Sequence, residues 1–163
     1  VLRRAQLDVV TAALQTKRVT GSHGIEMAAD TELGAVNPAE FEAVVLPGGM
    51  PGSVHLRDDA RVRRIVQELH RSDRLVAAIC AAPMVLEAAG VLAGRRATSF
   101  PGEQLPSARY CEQRVVVDGN LVTSRGAGTA MEFALALVRH LTNAEVADGL
   151  AERMLANPSG VHT

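Results

Sequence analysis

Tryptophan is absent from this 163-residue chain, which has only one tyrosine and three phenylalanines. A core without large rings must be filled by Ala, Val and Leu, and hydrophobic residues still make up 47% of the sequence. Such small side chains suit close packing of helices on a sheet. An excess of either charge is also lacking: the net charge is −1, so nothing points to nucleic acid or an anionic membrane surface. No apolar run approaches ~18 residues, so no membrane span is expected. Two cysteines are too few for a disulfide scaffold. The histidines (His23, His55, His70, His140 and His162) lack metal-ligand spacing with a Cys or carboxylate partner, so no metal is expected. The start, Val1-Leu2-Arg3-Arg4, has neither a signal-peptide pattern nor an initiator methionine. A reducing, cytoplasmic setting is the expectation.

What is present alternates between strand and helix patterns. Strands are expected over Ala5 to Leu14, more weakly over Gly21 to Ala29 (or as a hairpin there), and over Phe41 to Leu46, where Pro47-Gly48-Gly49 stops the run. Further strands are expected at Leu75 to Ile79 and Ala97 to Phe100. Arg114 to Val117 and Leu121 to Thr123 flank Asp118-Gly119, a strong hairpin signal. Helical spacing recurs over Asp58 to Leu69 at Val62, Ile65, Val66 and Leu69. A helix follows Cys80 and ends near Gly90. Gly128 to Leu141 is the clearest helix, with Met131, Ala134, Leu135, Val138 and Leu141 on one face, read as core. Asn143 caps a terminal helix reaching Leu155. Near-continuous apolar strands between helices predict a parallel α/β sandwich forming a single domain over residues 1–156, with a frayed tail at 157–163.

Ligands in such sheets bind beyond the carboxyl ends of the strands. Two elements fall there. Cys80 ends the run Leu75-Val76-Ala77-Ala78-Ile79 and is followed by Ala81-Ala82-Pro83, a turn into a helix. A cysteine on such an elbow is exposed at the sheet edge, where amides at the helix start favour thiolate. A buried structural cysteine fits the same local pattern. Gly48-Gly49 ends the preceding strand and can bring free backbone amides close to a ligand. With the Ala81 amide it could form an oxyanion hole beside the Cys80 sulfur.

Val44-Val45-Leu46-Pro47-Gly48-Gly49, Ala77-Ala78-Ile79-Cys80-Ala81-Ala82-Pro83 and Val122-Thr123-Ser124-Arg125-Gly126-Ala127-Gly128-Thr129, followed by Glu132-Phe133-Ala134, together resemble the ThiJ/PfpI superfamily. They are most similar to the branch of the Parkinson-disease-associated protein deglycase and its bacterial YajL-like relatives. The resemblance runs from Val1 to about Leu155. It implies a flavodoxin-like three-layer sandwich, a homodimer, and Cys80 as a nucleophile with Gly49 and Ala81 as oxyanion donors. It also implies activity without a cofactor on methylglyoxal, glyoxal or their adducts, or duty as a redox-sensing stress chaperone using the same thiol. Gly48, Ser107, Ser124, Arg125 and Ala127 are candidates for the surrounding wall.

Departures from the family pattern are informative. The family carries a glutamate after its first strand, hydrogen-bonded to the cysteine, and neither the glutamate nor the strand has a counterpart here. The strand would be central, beside the one ending at Pro47, so an amino-terminally incomplete version of the working protein is expected. Ser107 stands where human-like members place a histidine near the cysteine. Ala81 stands where the peptidase-like branch has histidine, which argues against a Cys-His peptidase, and the His-x-Glu of class I amidotransferases does not occur. Ala127 replaces the usual proline between two glycines. Of the histidines, only His55, after the Gly48-Gly49 loop, falls near the site in sequence. His70 and His140 lie near helix ends that favour a cation. His23 falls where the family's dimer contact often has an arginine or histidine, and Cys111 reads as a partly exposed thiol.

Overall fold

The computed structural model describes residues 1–156; the tail expected at 157–163 lies outside them. Ten strands are present among the described residues: β1 (Ala12–Ala13), β2 (Arg18–Thr20), β3 (Glu26–Ala28), β4 (Thr31–Glu32), β5 (Ala43–Leu46), β6 (Leu75–Ile79), β7 (Arg96–Ala97), β8 (Arg109–Tyr110), β9 (Val115–Asp118) and β10 (Leu121–Ser124). Five α-helices accompany them: α1 (Gly52–Asp58), α2 (Ala60–Arg71), α3 (Pro83–Ala88), α4 (Ala130–Leu141) and α5 (Ala144–Arg153).

The central sheet runs β5-β6-β10-β9, parallel except for the β9 edge. Strand β6 shows how the sequence makes three layers. Its residues alternate across the pleat. Val76 and Ala78 pack with Val62, Val66 and Leu69 of α2 and Val85 and Leu86 of α3. Leu75 and Ala77 pack with Phe133 and Leu137 of α4 on the other face. A strand buried on both faces needs a continuous apolar run, which is what residues 75–79 supply. The result is a flavodoxin-like three-layer α/β sandwich. Among the described residues β5 pairs only with β6, and Val45 is 36% exposed on that edge.

Several expected elements take a different form. Residues 5–14 form a strand only at Ala12–Ala13, paired with β4. The Asp30 carboxylate accepts from the Thr11 amide and hydroxyl and from Arg3, so the Thr11 amide goes to a side chain rather than a ladder. Leu2 meanwhile belongs to a 3-10 turn packed on α4 and α5. The Gly21 to Ala29 hairpin is real but shifted, pairing Arg18–Thr20 with Glu26–Ala28. Helix α1, with Pro51 as its N-cap, lies where no helix was expected before Asp58. On α4 the buried residues are Phe133, Leu137 and Val138, whereas Met131 is 40% exposed. That face is rotated because Phe133 and Leu137 reach the sheet while Val138 meets Ala147 and Leu150 of α5. The β9–β10 turn is Gly119-Asn120, with Gly119 at φ 57°. Asn143 caps α5 by accepting from the Val146 amide.

Leu86 is fully buried under the helix that leaves the Cys80 elbow. Leu86→Ala should cost about 2–5 kcal/mol in denaturant unfolding; a loss well under ~1 kcal/mol would mean that this contact does not anchor α3.

His70, in the last turn of α2, is half-buried, with the Asn120 side chain donating to its carbonyl and to that of Arg74. Burial first, and then the Arg95 charge, hold the His70 imidazole below its ordinary 6.5. A helix end that favours a cation in isolation here opposes one. With the folded value below the unfolded one, the unfolded chain binds more protons as pH falls past about 6.5, so stability declines there. Melting temperatures measured from about pH 7.5 to 5.5 should fall for the wild type and fall less for His70→Gln. Equal slopes would remove His70 from the account.

Candidate active site

Strand β6 ends at Ile79, and the next residue turns the chain sharply. Cys80 has φ 64°, in the left-handed region that non-glycine residues seldom occupy. Such a residue stores about 1–3 kcal/mol of strain and persists only where its surroundings impose it. Here they do. The Cys80 amide donates to the Ser124 carbonyl at 2.9 Å, and its carbonyl accepts from the Phe100 amide at 2.8 Å. Pro83 then opens α3, its missing N–H costing nothing at a helix start. Cys80 is partly exposed and unpaired with Cys111.

The Gly48-Gly49 turn lies directly against this elbow. A Cβ built on Gly48 would fall 2.5 Å from the Cys80 Cβ, 2.6 Å from the Ile79 carbonyl oxygen and 3.3 Å from the Ala81 nitrogen. Gly48 is therefore needed for close approach. Gly49 is needed for its backbone: its φ is 98°, and nothing lies within 4 Å of an added Cβ. Neither the Gly49 nor the Ala81 amide has a hydrogen-bond acceptor among the described residues. Ala81 is only 4% exposed, and buried N–H groups without partners are rare. Both amides without acceptors belong to residues adjoining the Gly48–Cys80 contact.

The other candidates divide. Ser124 is fully buried; its hydroxyl donates to the Arg114 carbonyl at 2.9 Å and lies 2.6 Å from the Thr129 hydroxyl. It thus braces the loop while its carbonyl holds Cys80. Arg125 donates to the Glu112 carbonyl at 3.0 Å, and Ala127 is exposed in the short 3-10 turn before α4. Ser107 is elsewhere engaged: its amide and hydroxyl both donate to Glu87 near the far end of α3, and its carbonyl accepts from Gly94. His55 is exposed on α1. Cys111 holds a long contact to the Arg109 carbonyl. Among the described residues no three His, Cys, Asp or Glu side chains converge as a metal site requires.

Phe100 is the neighbour that the sequence reading missed. The strand expected over residues 97–100 stops at Ala97, because Thr98 donates to the Thr123 hydroxyl and Phe100 to the Cys80 carbonyl. An aromatic residue between a strand end and Pro101-Gly102, in a chain with three phenylalanines, was the available signal. A hollow of about 570 Å³ between α4 and α5 is lined by residues including Leu135, Ala136, Arg139, Ala147, Asp148 and Ala151, and by none of the Cys80 site. Its lining also includes Glu132 and His140; Glu132 is paired with Arg114, and Arg139 with Asp148.

Comparison with known proteins agrees with the motifs. Residues 1–140 match the DJ-1/PfpI family. The chain is 39% identical over 165 residues to Protein DJ-1 homolog A of Arabidopsis thaliana, covering 98% of this chain but 42% of that protein. It thus spans about two fifths of that relative's length. Deglycase PH1704 of Pyrococcus horikoshii is 40% identical over 123 residues, covering 72% of this chain and 73% of that one. The crystal structure of Drosophila melanogaster DJ-1beta superposes with a TM-score of 0.90 at 38% identity, covering 94% of this chain and 86% of that one. With a family match over most of its length and this degree of kinship, the chain belongs to the DJ-1/PfpI family.

Proposed function

We propose that Cys80 is the nucleophile of a cofactor-independent glyoxalase or deglycase centre, acting on methylglyoxal, glyoxal or their adducts in cytoplasmic carbonyl and oxidative stress protection. The observation that carries this reading is Cys80 at φ 64° beside the unpartnered Gly49 and Ala81 amides. The deglycase name of the Pyrococcus relative supports it.

In this mechanism the thiolate attacks the aldehyde carbon, forming a C–S bond and moving the carbonyl electron pair onto oxygen. The two amides hold that oxyanion. Protonation gives a hemithioacetal. Its C1 hydrogen then leaves as a proton and returns at C2 through an enediolate, so C1 is oxidised to a thioester as the neighbouring ketone is reduced to an alcohol. Water cleaves the thioester, releasing a 2-hydroxy acid and the thiol. The net change is addition of one water, with no external oxidant. The proton carrier that the resemblance assigns is the family's glutamate, which has no counterpart in residues 1–163.

A homodimer is part of the proposal. The β2–β3 hairpin offers a surface for it: Val19 pairs across from Met27, and with Ile25 they are 48%, 69% and 68% exposed. The second reading, a redox-sensing chaperone, is favoured by the partial exposure of Cys80, whose oxidised form would accept from the same amides.

Lactate formation from methylglyoxal by the native protein, in chelator and without added cofactor, tests the enzyme. Turnover supports it. No turnover, together with aggregation suppression that changes on peroxide treatment, supports the chaperone.

A further inference from the structure

Two half-exposed apolar residues adjoin the backbone of the Cys80 site. Met50 directly follows Gly49 and is 49% exposed, and Phe100, whose amide holds the Cys80 carbonyl, is 50% exposed. The Phe100 ring lies over Gly126, where an added Cβ would sit 3.7 Å from its Cδ2. The ring therefore rests on bare backbone of the Ser124–Gly126 loop. That loop also supplies the carbonyl holding the Cys80 amide. Large apolar residues are normally buried, and this chain has three phenylalanines to spend. One of them is left half in solvent, hydrogen-bonded through its backbone to the nucleophile.

We propose that Phe100 is a specificity-determining residue: its ring forms an apolar wall beside the Cys80 thiol and favours substrates that carry an apolar or aromatic group next to the reacting carbon. The inference rests on the proposed chemistry only for the identity of the substrate, a 2-oxoaldehyde or adduct with such a group. Glyoxal, with hydrogen on both carbons, gains nothing from the wall, methylglyoxal gains a methyl contact, and an aryl glyoxal gains a ring contact. An apolar contact of this kind discriminates by about tenfold or more per group. Edge-to-face or offset stacking adds to it for a ring.

The test reads the thiol and not turnover, so that failure of the wall and failure of the enzyme reading are distinguishable. Native protein and the Phe100→Ala and Phe100→Leu variants are treated with iodoacetamide, N-ethylmaleimide and N-phenylmaleimide. Modification is then followed on the peptide that contains Cys80, which separates it from Cys111. The expected result is a phenyl-over-ethyl rate ratio about tenfold lower in Phe100→Ala and intermediate in Phe100→Leu, with the small polar iodoacetamide within about twofold of wild type. An unchanged ratio overturns the proposal. So does an equal fall for all three reagents, which would mean that Phe100 acts only by holding Cys80 in place. Where turnover is found, the same order should reappear in KM for glyoxal, methylglyoxal and phenylglyoxal, with the differences lost in Phe100→Ala.

Discussion

Cys80→Ala should lower lactate formation from methylglyoxal at least about a thousandfold while the protein still folds. The loss follows from the step Cys80 performs: without sulfur no C–S bond forms, and the two amides have no oxyanion to hold. Folding is spared because the Cys80 side chain is not what fixes the elbow. Its backbone is held by Ser124 and Phe100, and alanine meets the same φ of 64° with the same strain. Cys80→Gly separates the two roles. It is equally inactive, yet glycine adopts this conformation freely, so it should be more stable than Cys80→Ala by about 1 kcal/mol. Equal stabilities would mean that the elbow carries no strain, and retained activity in either variant would remove Cys80 from the chemistry.

Gly48→Ala should be nearly as damaging to activity although it removes no reactive atom. The new methyl would fall 2.5 Å from the Cys80 Cβ and 2.6 Å from the Ile79 carbonyl oxygen. Neither is the tip of a flexible side chain, so the strand ends must move apart. Overpacking of this kind costs about 1–3 kcal/mol. Displacing the Gly49 amide from the thiol by an ångström costs about a hundredfold in rate. Gly49→Ala makes the contrast. It meets open space but a φ of 98°, so its cost is backbone strain rather than collision. Activity and unfolding measured on both variants check this. A Gly48→Ala protein of unchanged stability and rate would mean that the turn is not packed on the elbow.

The elbow was legible because its parts are local. An apolar run ending in Cys80-Ala81-Ala82-Pro83 dictates a buried strand and a helix start within a few residues. Gly48-Gly49 was legible as permissive backbone, but the collision that makes Gly48 necessary arises between two strands and has no trace in spacing. Phe100 lies twenty positions after Cys80, and only the bond between their backbones brings them together. Ser107 was a candidate because the resemblance sets it where human-like members have a histidine, yet Glu87 occupies both of its donors. Residues 5–14 read as a strand on their apolar content. The Asp30 carboxylate, distant in sequence, takes the Thr11 amide that a ladder would have used. Long-range polar capture of this kind overrides a pattern that looks sufficient over ten residues.

The most direct measurement is mass spectrometry of native protein quenched in acid during reaction with methylglyoxal. The account predicts a transient acyl group on the peptide containing Cys80, absent from Cys80→Ala and lost again as lactate appears. Lactate formed with no modification of Cys80, or formed undiminished by the Cys80→Ala protein, would contradict it.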